Sequence, residues 1–211
     1  MGEPDASAAG AGATASIPAR PGSTGQARPA APHTARASAA PAEPARSGHD
    51  APARRRGAVS GPARPYLIYD SVLPAALPAG HVAAVYATGP YAVRAAAVRP
   101  HGQVLWIDVR GTDPAADVLD IEPGCASPAM AAGWTATRLS RYPGSLAVMY
   151  TSIAEWALVK SEVADLPGWM QARIRWWIAN PTGYPHLVPG SDATQWYWGS
   201  SVDISTATSR L

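Results

Sequence analysis

The chain has 211 residues, enough for one domain of ordinary size with a segment to spare. Its charge is uneven: residues 1–65 hold eight Arg against four carboxylates, whereas the remainder holds nine basic residues against eleven acidic ones. A mildly acidic remainder speaks against a nucleic-acid-binding domain, the single Cys125 excludes an internal disulfide, and no apolar stretch reaches the length of a membrane span.

Residues 1–65 consist almost entirely of Ala, Pro, Gly, Ser, Thr and Arg. Such a segment has too little apolar surface to offset the entropy of ordering, and it is predicted to be a disordered tail. The run Arg54-Arg55-Arg56 reads as a solvated part of that linker. No apolar run follows the first basic residue, so no secretory signal is read. Action outside the cell would then require another route of export or release. Residues 66–211 contain all eight Trp and all eight Tyr and are predicted to form one domain with a real core.

Within that domain short apolar runs bounded by turn residues recur in chain order, which suits buried strands. Tyr66–Asp70 ends in a carboxylate, and His81–Tyr86 is closed by Ala-Thr-Gly-Pro. Tyr91–Val98 is Ala-rich and reads as a helix, and Gln103–Asp108 is a third strand, again ending in Asp. Asp117–Glu122 follows after a connection too short for a helix, and Pro123-Gly124 stops it. Ser127–Tyr142 opens with Ser-Pro, a good helix start. Leu146–Tyr150 is the fifth strand. Ser152–Ala164 has helical apolar spacing and opens on the capping box Ser152-x-x-Glu155. Ile174–Ala179, Ala193–Trp198 and Val202–Ile204 complete a set of eight strands, the last of them without intervening helices. Strands alternating with helices imply a largely parallel sheet, and eight strands suffice to close a small TIM-like β/α barrel.

In such barrels the active site lies at the C-terminal strand ends, where Asp70, Asp108, Asp120 and Glu122 fall. Asp120 and Glu122 are two apart on one strand, so they share a face about 6–7 Å apart along the chain, with Ile121 turned the other way. A carboxyl pair of this kind can divide its protonation states, one acid and one charged group, as glycosidic cleavage requires. Trp176, Trp177, Trp196, Tyr197 and Trp198 cluster near the C-terminus. Their flat faces suit sugar rings as well as core packing, and either Trp196 or Trp198 is expected to line a cleft. His81 and His186 lack metal-ligand spacing, and neither a phosphate loop nor a serine nucleophile motif is present.

Four segments, in order, resemble the family-25 glycoside hydrolases, the lysozyme-like muramidases. Leu119-Asp120-Ile121-Glu122 is similar to the family's D-x-E strand. Met149-Tyr150-Thr151-Ser152 with Trp156 is similar to its YTS…W segment, and Trp177-Ile178-Ala179 to its WIA strand. Gln195-Trp196 followed by Val202-Asp203-Ile204 is similar to its C-terminal ending, and Tyr69-Asp70-Ser71 to its first strand. A branch of actinobacterial and phage proteins with a glycoside-hydrolase-like barrel is closer still. The resemblance implies a hydrolase acting on a cell-wall polysaccharide, with Glu122 as general acid and Asp120 stabilising charge or orienting an acetamido group. Asp70, Asp108, Asp203, Tyr150, Trp177, Gln195 and Trp196 are then the expected substrate-binding residues. No cofactor, metal, nucleic acid or membrane is implied, and the expected state is a monomer. The chain departs from the family in the connection between Asp108 and Asp117, where the usual helix is missing. The alternative is a glycan-binding or cell-surface module that keeps the barrel without turnover.

Overall fold

A computed structural model of the chain describes residues 64–98, 101–208 and 211. The predicted tail lies, but for its last two residues, outside the described residues. Eight strands close a barrel in sequence order: β1 (Tyr66–Asp70), β2 (Val82–Tyr86), β3 (Gln103–Asp108), β4 (Val118–Ile121), β5 (Ala147–Ser152), β6 (Ile174–Ala179), β7 (Ala193–Tyr197) and β8 (Asp203–Ala207). The first seven are parallel to their neighbours, whereas β8 runs antiparallel to both β7 and β1. Every strand read from the sequence is present, with ends displaced by a residue or two. The exception is β8, which continues through Ser205, Thr206 and Ala207. Its apolar signal is weak because it places polar Ser205 inside the barrel, where the hydroxyl accepts the Trp177 indole N–H at 2.9 Å.

The helices are shorter than the stretches read from the sequence, and one of those three stretches forms no α-helix. Among the described residues three α-helices are present, α1 (Ala131–Arg141), α2 (Trp156–Glu162) and α3 (Gly168–Gln171), the last in a segment not read as helical. The Ala-rich stretch Tyr91–Val98 forms only a 3-10 turn, Ala95–Val98. Its alanines are exposed and Val98 alone is buried there, so the segment has no apolar stripe with which to dock a longer helix. The Ser127-Pro128 start is real, but a 3-10 turn, Pro128–Met130, precedes α1 and the Ser127 hydroxyl makes no cap bond. The Ser152 hydroxyl does accept the Glu155 N–H, at 3.2 Å, ahead of α2. The fold is therefore a closed, mixed eight-stranded barrel with few helices. None of the helices among the described residues is long and apolar enough to cross a membrane.

Strand alternation divides the core in two. One set of side chains, including Ile68, Ala84, Ile107, Val118, Val148 and Ala193, fills the barrel interior. The opposite faces of β4 and β5, with Leu119, Ile121 and Met149, pack under α1, α2 and α3 through Trp134, Leu139, Val159 and Met170. The outer face of β2 is covered by a smaller cluster of Leu77, Ala83, Val85 and Val98.

The short connection between β3 and β4 leaves the barrel closed, because α1 reaches back to seal it. Asp108 is fully buried and accepts the backbone N–H groups of Arg110, Gly111 and Asp113, together with the Thr88 hydroxyl and the Trp134 indole N–H. Arg138, also on α1, donates to the carbonyls of Pro114, Ala115, Ala116 and Leu146. It also pairs with Asp117 at 2.8 Å. Burial lowers the Arg138 pKa from its ordinary value, and Asp117 opposes that shift. A buried guanidinium is tolerable only with its donors occupied in this way.

Candidate active site at the barrel mouth

The interior positions change character one step above the apolar layer. Two residues beyond Ile68, Val118, Val148 and Ala193 stand Asp70, Asp120, Tyr150 and Gln195, each on the same face of its strand as the apolar residue below. Because β1, β4, β5 and β7 are parallel, these four polar groups reach the same end of the barrel. Antiparallel β8 brings its first residue to that end, and Asp203 is the register partner of Asp70. Asp120 is the register partner of Tyr150, and Tyr150 of Trp177. Ile121, the last residue of β4, turns outward into the helix-packed core, and Glu122, in the bend that follows, lies close enough to the mouth to act on Tyr150. There it is partly exposed, while Asp120 is 4% exposed. The strand stops at once: the Cys125 N–H closes on the Glu122 carbonyl at 2.9 Å, and Gly124 takes a φ of 90°, which an L side chain rarely adopts.

Gln195 is the centre of the hydrogen bonding. It is 2% exposed. Its Nε2 donates to Asp70 Oδ2 at 2.8 Å and points at Asp203 Oδ2, 3.4 Å away. Its Oε1 accepts the Tyr150 hydroxyl and, at 2.7 Å, the Trp198 indole N–H. Asp203 in turn accepts the Gly199 N–H at 2.9 Å, which ties down the turn carrying Trp198. Tyr150 has a pKa raised well above its ordinary value, first by burial and then by the negative fields of Glu122, Asp120 and Asp70, with Tyr86 adding to them. Tyr150 is thus neutral at any physiological pH, and it stands among carboxylates from three different strand ends, those of β1, β4 and β8.

The expected site residues divide clearly. Asp70, Asp120, Glu122, Tyr150, Gln195 and Asp203 converge. Asp108 does not: it is the neighbour of inward-facing Ile107, so its side chain turns to the outer face and organises the β3–β4 connection. Trp177 lies inside the barrel but below the mouth, 1% exposed, its ring edge-on to Tyr150 at 5.3 Å between centroids. It forms a floor and is closed to a ligand. Trp196 points outward and donates its indole N–H to Thr206 at 3.0 Å. A register shift between Gln195 and Tyr197 breaks the β7 alternation, and Trp198, 39% exposed, takes the place at the mouth. His186, in the β6–β7 loop, is engaged by Asn180 at 3.0 Å and Thr182 at 3.2 Å. Among the described residues no grouping of His, Cys, Asp and Glu is arranged to hold a metal ion.

Two contributors escaped the sequence reading. Tyr86, at the end of β2, is a buried neighbour of Tyr150. Its position at a strand end, like that of the carboxylates, is the signal that marks it. Arg138 left no local signal, since its partners precede it by more than twenty positions or follow it across a turn. The chain was compared with family models, curated proteins and solved structures, and none of them matches it.

Proposed function

We propose that the chain is a glycoside hydrolase acting on a cell-wall polysaccharide, built on a glycoside-hydrolase-like barrel and lysozyme-like in its chemistry. One observation carries this reading: Asp120 at the end of β4 and Glu122 just beyond it both act on Tyr150, in a mouth that also holds Asp70, Asp203 and an exposed Trp. Glycosidic cleavage needs a proton donor for the leaving oxygen and a negative group facing the oxocarbenium-like transition state. Glu122, at the rim, is the general acid; its contact with solvent lets it regain a proton after each turnover. Asp120, deeper in the mouth, stabilises the developing positive charge. Tyr150 supplies a hydroxyl that stays protonated beside them, so it adds no further charge to the group. Trp198 offers a flat apolar face for a sugar ring. The ordered resemblance of the D-x-E, YTS, WIA and Gln-Trp…Val-Asp segments to family-25 glycoside hydrolases supports the same assignment.

The test is turbidity loss of purified bacterial cell walls with the wild-type protein, Glu122→Gln and Asp120→Asn. Clearing by wild type, with both variants inactive but folded, supports the hydrolase. Binding to walls that Glu122→Gln leaves unchanged, without any product from wild type, assigns the barrel instead to a glycan-binding module.

A further inference from the structure

The hydrogen bonds of Gln195 have a fixed sense. An indole N–H only donates and an ionised carboxylate only accepts, so with Trp198 on one side and Asp70 on the other the amide fits in one orientation. Oε1 faces Trp198 at 2.7 Å and Nε2 faces Asp70 at 2.8 Å. The same orientation leaves the Tyr150 hydroxyl no choice but to donate to Oε1. Its remaining lone pairs are then available as acceptors. Gln195 is buried, whereas the ring of Trp198 is 39% exposed, so one buried amide joins the exposed ring at the rim to Tyr150 and Asp70 deeper in the mouth.

We propose that Gln195 is a positioning residue: its amide holds Trp198, Tyr150 and Asp70 in one hydrogen-bond polarity, so that a sugar stacked on Trp198 is brought into register with the carboxyl groups beneath. This rests on the hydrolase reading for its effect on turnover, but not for its effect on the hydrogen bonds themselves. A glutamine is required because the residue must accept on one side and donate on the other. A carboxylate can accept from Trp198 and Tyr150, but it donates to Asp70 only when protonated.

The experiment compares Gln195→Glu and Gln195→Met with the wild type in two measurements. The first follows the indole N–H resonance of Trp198 by NMR, assigned by its loss in Trp198→Phe, between pH 5 and pH 8. It is expected to be constant in the wild type, moved toward the solvent-exposed position in Gln195→Met, and to track the ionisation of residue 195 in Gln195→Glu. The second is the pH profile of wall hydrolysis. Gln195→Met is expected to lower kcat by about tenfold to a hundredfold at every pH, as for a lost buried hydrogen bond. Gln195→Glu is expected to keep its activity only while residue 195 is protonated and can donate to Asp70, so its kcat falls with rising pH together with the change in the Trp198 resonance. A Trp198 resonance identical in wild type and Gln195→Met overturns the proposal. So does a pH-invariant one in Gln195→Glu, which decides the matter should the Met variant fail to fold. Wild type that hydrolyses no wall refutes the hydrolase reading, while the resonance still decides the role of Gln195.

Discussion

Replacing Arg138 by Met keeps most of the aliphatic stem and removes the guanidinium that seals the β3–β4 connection. The lost interactions are the 2.8 Å pair with Asp117, the bond to the Leu146 carbonyl at 2.6 Å, and the bonds to the carbonyls of Pro114, Ala115 and Ala116. A charge-assisted bond to a buried group is worth about 1.5–3 kcal/mol when it is lost, but five bonds to one group are far from additive. Removing one partner of a buried ion pair costs about 3–5 kcal/mol. Asp117 keeps some contact with water, at 32% side-chain exposure, so the lower end, about 3 kcal/mol, is expected. For a domain of this size that is a fall in Tm of about 10 °C. Thermal unfolding followed by circular dichroism, with Asp117→Asn and the double variant completing a cycle, gives the number. A loss below about 1 kcal/mol for Arg138→Met refutes the view that α1 closes the seam through this side chain.

Three further outcomes are expected. The absorbance titration of Tyr150, isolated by difference against Tyr150→Phe, is expected to begin well above pH 10, the ordinary tyrosine value. Because the folded pKa is raised, the stability this group contributes is complete below the unfolded pKa of about 10 and is lost as pH rises toward the folded value. A Tyr150 that titrates with exposed tyrosines contradicts its burial among carboxylates. Leu119→Ala, fully buried between β4 and the helices, is expected to cost about 2–5 kcal/mol in urea unfolding, whereas a near-neutral result contradicts the packing of that layer. Trp198→Ala is expected to raise KM on wall fragments by about fivefold, from the loss of roughly 1 kcal/mol of ring stacking, with Trp196→Ala leaving KM unchanged. The reverse pattern contradicts the assignment of Trp198 to the mouth.

The barrel was legible in the sequence because its strands are short apolar runs closed by Gly, Pro and Asp, and because Asp70, Asp120 and Glu122 punctuate their ends. The helices were less legible. Alanine has high helix propensity, but without a buried stripe Ala95–Ala97 has nothing to hold a helix in place. Asp108 shows the limit of reading strand ends alone: it ends a strand as Asp70 does, yet a one-residue difference in phase turns it away from the mouth. The exchange of Trp196 for Trp198 has the same origin, since the register shift after Gln195 is invisible in a pattern of alternation. The hub made by Gln195 joins β1, β5, β7 and β8, and such long-range pairing leaves no spacing in the chain to be read.

The most direct measurement is the release of reducing ends from purified peptidoglycan, with mass spectra of the products, for folded wild type and folded Glu122→Gln. Wild type is expected to release soluble fragments ending in a reducing sugar, and Glu122→Gln to lower the rate by at least about a hundredfold, as for the loss of a general acid. Equal rates in the two proteins, or no product from wild type on any of several walls, contradicts the assignment of Asp120 and Glu122 as a glycoside-cleaving pair.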